Sequence, residues 1–298
     1  MFVKAIETAA RFTRPIHSIS RNYGSQLIQP GAATLFFVNS EGWALTCRHV
    51  AQLLVGADKL AERRKAFADE LNTRQGQKKE RQLLRELEQK YGYSKRATFE
   101  LYNNFVNCID GNLDVEIKAH STLDVALIHF RNFKRLMCNS FPVFAANGAN
   151  LRQGMSLCRL GFPFAEFSNF AYDASADSIH WTSTGRADTP QFPIEGMVTR
   201  YVVDHTGEVV GFEMSTPGLR GQSGGPAFDT AGTVWGMQSQ TLHLDLDFDV
   251  NQEVVRNGLK KPVSDSAFLH VGRCVHVNVL KSFMTEHGVK FQEDKASL

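Results

Sequence analysis

The sequence predicts a mostly β protein in two halves, about 1–148 and 149–298, with a helical hairpin inserted in the first and a helix closing the second. Three observations lead there. Short runs that alternate apolar and polar residues recur along the chain and are separated by turn residues. Among 298 residues, 22 are phenylalanine, a residue that suits β-rich cores. One stretch, about 53–96, breaks the pattern: it is charged, rich in glutamine and free of proline.

The elements follow in order. Within residues 1–20 a short amphipathic helix is expected, with Phe2, Ile6 and Ala9 or Ala10 on one face. Residues 31–48 read as a hairpin: Ala33 to Val38 as a strand, Asn39-Ser40-Glu41-Gly42 as the turn, and Trp43 to Thr46 as the return. Ala57 to Leu71 and Lys78 to Tyr91 carry leucines at helical spacing (Leu83, Leu84, Leu87), with Gly76 between the two segments. The β pattern resumes at Ala97–Leu101, Val115–Ala119 and Asp124–Phe130, and Cys138–Gly148 reads as the link between halves. In the second half, strands are expected near Leu157–Leu160, Ile194–Thr199, Val209–Met214 and Gly232–Met237. Val275 to Met284 reads as a last strand running into the closing helix.

Composition excludes several classes. A formal net charge of +2 is too small to imply nucleic-acid or membrane partners, and no run is apolar enough to span a membrane. Arg63-Arg64-Lys65, Lys78-Lys79 and Arg81 are interleaved with acids and lack aromatic stacking partners, so they read as a solvated helix face. Five cysteines at irregular spacing (Cys47, Cys108, Cys138, Cys158, Cys274) do not form a disulfide framework. A reducing, cytoplasmic location is expected. Met1 to Arg14 has no continuous apolar core of a secretory signal, although Lys4, Arg11 and Arg14 leave an organellar presequence as the minor alternative.

The chemistry centres on Gly221-Gln222-Ser223-Gly224-Gly225-Pro226. A serine hydroxyl needs a base to take its proton and N–H donors for the oxyanion it creates. Glycines around Ser223 allow a sharp turn that aims the N–H groups of Gly221 and Ser223 into one space. A base and a carboxylate stand upstream: His49 in Thr46-Cys47-Arg48-His49-Val50, and Asp124 in Asp124-Val125-Ala126-Leu127. Asp114 is the rival carboxylate, without the same apolar run behind it.

These three motifs, with Gly232-Thr233-Val234-Trp235-Gly236-Met237, resemble the trypsin-like serine proteases of the chymotrypsin fold, closest in style to the HtrA-like branch. The likeness implies two six-stranded antiparallel β-barrels and a serine endopeptidase acting through His49, Asp124 and Ser223 on protein or peptide substrates, with no cofactor and no metal. It implies an oxyanion hole at Gly221 and Ser223, a serine at Ser239 that supports the carboxylate, and substrate contacts from Gln238, Ser239 and Gln240. Pro217 stands where specificity for basic side chains needs a carboxylate, and Gly272 is expected to line an open pocket, so an apolar P1 side chain is the default. Gln222 replaces the aspartate that pairs with a newly cut N-terminus in zymogen-activated relatives. No room is expected for a PDZ domain.

Other readings fit the same residues. The helical insertion is either a solvated decoration or a docking element for a regulatory protein. His243, Asp245, Asp247 and Asp249 alternate with apolar residues as an acidic face that would favour basic residues near the cut; as a calcium loop they lack the glycine and the terminal glutamate. The G-x-S-x-G elbow of an α/β-hydrolase needs a helix directly after the serine, and Asp229-Thr230-Ala231-Gly232 predicts a hairpin there instead. A protease-like binding module with little activity of its own is the rival of another class.

Overall fold

A computed structural model describes residues 1–76, 79–256 and 259–295. Lys78, part of the basic stretch noted above, lies outside them. Helix α1 (Val3–Phe12) buries Ala5, Ala9 and Phe12, and Phe2 is buried just before it. It is the short helix expected within residues 1–20. Thr13-Arg14-Pro15-Ile16 leaves helical geometry, because Pro15 has no N–H for another turn, and the chain continues as strand β1 (Thr13–Asn22).

The first sheet adds β2 (Gln29–Phe37), β3 (Trp43–Thr46), β4 (Thr98–Phe105), β5 (Asp114–Ala119) and β6 (Ala126–Arg131). Its six antiparallel strands run in the order β4-β1-β2-β3-β6-β5. Pro15 is tolerated inside it because pairing with β4 starts only at Ile16.

The second sheet contains β7 (Ser156–Gly161), β8 (Phe192–Val203), β9 (Val209–Met214), β10 (Pro226–Phe228), β11 (Thr233–Arg256) and β12 (Leu259–His276). They run β10-β7-β8-β9-β12-β11, and β11 pairs back onto β10, which closes a ring of six antiparallel strands. Two short parallel strands, Val143–Phe144 and Gln292–Glu293, are added beside β11. Residues 1–148 do not belong to the first sheet alone. The Phe2 ring packs edge-on against Phe228, and Val143–Phe144 joins the second sheet. The closing helix α4 (Val277–Glu286) buries Val277, Leu280, Phe283 and Met284, and its Lys281 bonds the carbonyls of Ala145 and Ala146.

The insertion is a pair of helices, α2 (Arg48–Thr73) and α3 (Glu80–Tyr91). It begins five residues earlier than the composition suggests, so α2 continues directly from the end of β3 with no intervening loop. Phe67, Leu83, Leu87, Tyr93 and Phe99 form a small core of their own, Phe99 being on β4. Arg64 pairs with Glu100 of β4, which also binds the buried Arg21 of β1. Gly92 takes the left-handed conformation (φ +68°) that ends α3. Beyond the ring, β11 and β12 continue as a two-stranded ribbon whose side chains, including Leu246, Phe248 and Phe268, are largely exposed. The expected strict alternation of His243, Asp245, Asp247 and Asp249 is interrupted by a bulge between Asp245 and Asp249, where Asp247 adopts φ +57°.

Candidate active site

Ser223 sits in the turn that leads into β10, where the two sheets meet. Gly221 (φ +104°) and Gly224 (φ +89°) flank it in conformations that side chains resist. A Cβ at Gly224 would also run into the Thr34 carbonyl of β2, and one at Gly221 into that of Phe162. The turn is tied to the first sheet through Thr34: its hydroxyl donates to the Gly221 carbonyl (2.7 Å) and accepts from the N–H of Phe162 (3.2 Å), and its N–H donates to the Ser223 carbonyl (3.0 Å). Gln222 is fully buried. Its Oε1 accepts from the N–H of Leu219 (3.0 Å) and its Nε2 donates to the Phe192 carbonyl (2.9 Å), so the loop is pinned from within, without a free N-terminus. The N–H groups of Gly221 and Ser223 have no protein acceptor among the described residues.

His49 lies in the first turn of α2. Cys47, at the helix N-cap, makes no side-chain cap; Asp124, in the loop before β6, takes that place. Its Oδ1 accepts the backbone N–H of His49 (3.0 Å), while Oδ1 and Oδ2 lie 3.0 and 2.9 Å from Nδ1 of the imidazole. The Ser239 hydroxyl donates to Oδ2 (2.5 Å). Burial pushes the Asp124 carboxyl up, but the hydrogen bonds from the His49 ring, the Ser239 hydroxyl and the His49 N–H outweigh it and hold the group below the usual carboxylate range. A carboxylate at a helix N-terminus also meets the positive end of the helix dipole. The rival, Asp114, is spent at the surface on Arg131 and Asn132.

The Ser223 hydroxyl donates to the Ser239 carbonyl (2.9 Å), and no hydrogen bond joins it to His49 in this arrangement. Beside it opens a cavity of about 340 Å³, lined by Gly218, Leu219, Arg220, Ser223, Gln238, Ser239, Gln240, Thr241 and His243. Gln238, Ser239 and Gln240, expected to contact substrate, line this cavity. Pro217 and Gly272 do not line the cavity. The space in front of Gly272 is filled by the guanidinium of Arg159, whose Nη1 a Cβ there would strike, and the Pro217 carbonyl accepts from the same side chain (3.1 Å). The Gly272 expectation of an open pocket fails for that reason. A larger concavity of about 1270 Å³ lies against α4, and none of the three motif residues lines it.

Cys47, His49 and Asp124 are the group among the described residues whose donor atoms lie close enough to share a metal ion. The Cys47 thiol is buried, donates to the Gln238 carbonyl (3.2 Å) and is pushed well above its ordinary pKa by burial. That opposes the thiolate a metal ligand requires. All five cysteines are buried free thiols.

Residues 33–237, more than half of the chain, match the model of the trypsin-like peptidase domain. The chain belongs to the trypsin-like peptidase family. This trypsin-like peptidase is a serine protease hydrolase, and its fold is that of an HtrA-type protease, AlgW, solved with a decapeptide (TM-score 0.50, 12% identity, covering 97% of this chain and 69% of that one). The Rv3671c protease from M. tuberculosis in its active form also aligns (TM-score 0.46, 12% identity, covering 98% and 88%). No curated protein matches the sequence.

Sequence reasoning passed over two residues of this peptidase's site. Thr34 gives no signal in a strand of apolar neighbours. Arg159 gives one: it is a lone cation inside Leu157-Cys158-Arg159-Leu160-Gly161, a run otherwise apolar.

Proposed function

We propose that this peptidase is an endopeptidase in which His49, Asp124 and Ser223 act as a catalytic triad. The observation that carries the reading is the array from Ser239 through Asp124 to the His49 ring, whose Ser239 lines the cavity that Ser223 borders. Asp124 fixes the tautomer with Nδ1 protonated, which leaves Nε2 free to accept a proton. The reading requires the Ser223 hydroxyl to leave the Ser239 carbonyl and reach that nitrogen. Attack on a peptide carbonyl then forms the acyl ester, His49 gives its proton to the leaving amine, and water completes the cycle. The unengaged N–H groups of Gly221 and Ser223 suit them to hold the oxyanion. An extended peptide would lie along Gln238–Thr241.

One observation favours a second reading. The Ser223 hydroxyl rests on a backbone carbonyl and not on the base, which is what a protease-like binding module, or an enzyme awaiting a partner at the helical hairpin, would show. A fluorophosphonate probe separates the readings. Labelling of the wild-type protein, absent in Ser223→Ala, supports the triad. Absence of labelling with and without peptide substrate favours the binding module.

A further inference from the structure

Arg159, on β7, is fully buried, yet none of its hydrogen-bond partners carries a charge. Nη1 donates to Gln238 Oε1 (2.6 Å), and Nη2 donates to the Thr216 hydroxyl (2.6 Å) and to the carbonyls of Thr216 (3.0 Å) and Pro217 (3.1 Å). Nε has no partner, and no carboxylate among the described residues pairs with the group. Guanidinium stays protonated in proteins, and a buried charge is normally matched by an opposite one. The fold therefore holds an uncompensated positive charge directly beneath the cavity beside Ser223.

One side chain separates that charge from the cavity. Gln238 faces both: its Oε1 accepts from Arg159, and one Nε2 hydrogen goes to the Gln240 carbonyl (2.9 Å). An amide nitrogen has two hydrogens, and the second has no protein acceptor among the described residues. Donation from Arg159 to the amide oxygen polarises the amide and strengthens that donor. The walls agree in sign, since the nine lining residues include Arg220 and His243 and no aspartate or glutamate.

We propose that this cavity is the P1 pocket and that it selects an acidic side chain, glutamate or aspartate, with Arg159 as the specificity-determining residue acting through Gln238. The inference rests on the proposed serine endopeptidase and replaces the apolar P1 preference expected from the sequence. The substrate carboxylate accepts the free Nε2 hydrogen of Gln238 and supplies the counter-charge that the protein omits.

The test reads binding separately from catalysis. Peptides identical except for a last residue of Glu, Asp, Gln, Leu or Lys are titrated calorimetrically into the Ser223→Ala protein. Peptides ending in Glu or Asp should bind at least tenfold more tightly than the one ending in Gln, and the one ending in Lys most weakly. In the same background, Arg159→Met should bring the Glu-to-Gln ratio close to one, and Arg159→Lys should restore part of it. Gln238→Leu supplies the same reading if Arg159→Met does not fold. A Glu-to-Gln ratio of one or less, or tightest binding of Leu, overturns the proposal. Fluorophosphonate labelling of the wild-type protein decides the endopeptidase reading independently, so a labelled protein without acid selectivity refutes this inference alone.

Discussion

Asp124 serves two ends with one carboxylate: it orients the imidazole and it terminates α2. Asp124→Asn should therefore lower kcat by about 10⁴-fold through the wrong tautomer. It should also cost on the order of 0.5–1 kcal/mol of stability from the helix end, read from the denaturant midpoint. A different residue contributes to the acid limit of the fold. His17 is buried, stacks on Phe167 at 4.0 Å, bonds Thr189 through Nε2 and leaves Nδ1 without a partner. Burial lowers its pKa from 6.5 to about 4. The folded state then binds fewer protons than the unfolded chain between those two values, so stability falls as pH drops from about 6.5 to about 4, by up to on the order of 3 kcal/mol. Replacing His17 by Gln should flatten the midpoint-against-pH curve in that window. The peptidase family was legible in the sequence because His49, Asp124 and Ser223 each sit in a short stretch whose neighbours announce it. Arg159 was not legible, because its meaning depends on what the fold places above it: a neutral amide, a cavity and no acid.

At the scale of elements, the nucleophile turn depends on Gln222, where relatives activated by cleavage use an aspartate. Gln222→Ala leaves the Phe192 carbonyl and the Leu219 N–H without their partner, at about 1–3 kcal/mol. The loss should appear in kcat more than in KM, since the turn carries the proposed oxyanion donors. The hairpin has its own small core, so Leu87→Ala should cost about 2–5 kcal/mol there, seen as early exchange of the α3 amides while the barrel amides stay protected. The hairpin's helices could be read from leucine spacing and the absence of proline. The start of α2 could not, because Arg48 to Gln52 is too short a run to show periodicity, and the cap that fixes it comes from Asp124, 75 residues downstream of His49. The acidic alternation of the ribbon misled in a similar way: a bulge is a matter of backbone register, and composition does not reveal it.

For the whole molecule, the two sheets are joined at Thr34, whose hydroxyl holds both the Gly221 carbonyl and the Phe162 N–H. Thr34→Val keeps the shape and removes both bonds. It should lower kcat/KM at least tenfold while the midpoint for loss of tertiary structure moves by only about 1–3 kcal/mol, measured by kinetics and equilibrium unfolding on the same preparation. The β class and several of the strands could be read from alternation and turns, whereas β1 was hidden because Pro15 argues against a strand until its unpaired side is known. Helix α2 ties the catalytic end of the molecule to its appendage. Its 26 residues span about 39 Å at 1.5 Å per residue. Val50, Ala51 and Leu54 bury its near end beside the imidazole, and Phe67 clamps its far end into the hairpin. The histidine thus rides on one end of a rod whose other end stands well away from the cleft. Surgery that trims the appendage must spare the first two turns of that rod, because a cut before Leu54 would unmoor the proposed proton acceptor along with the ornament.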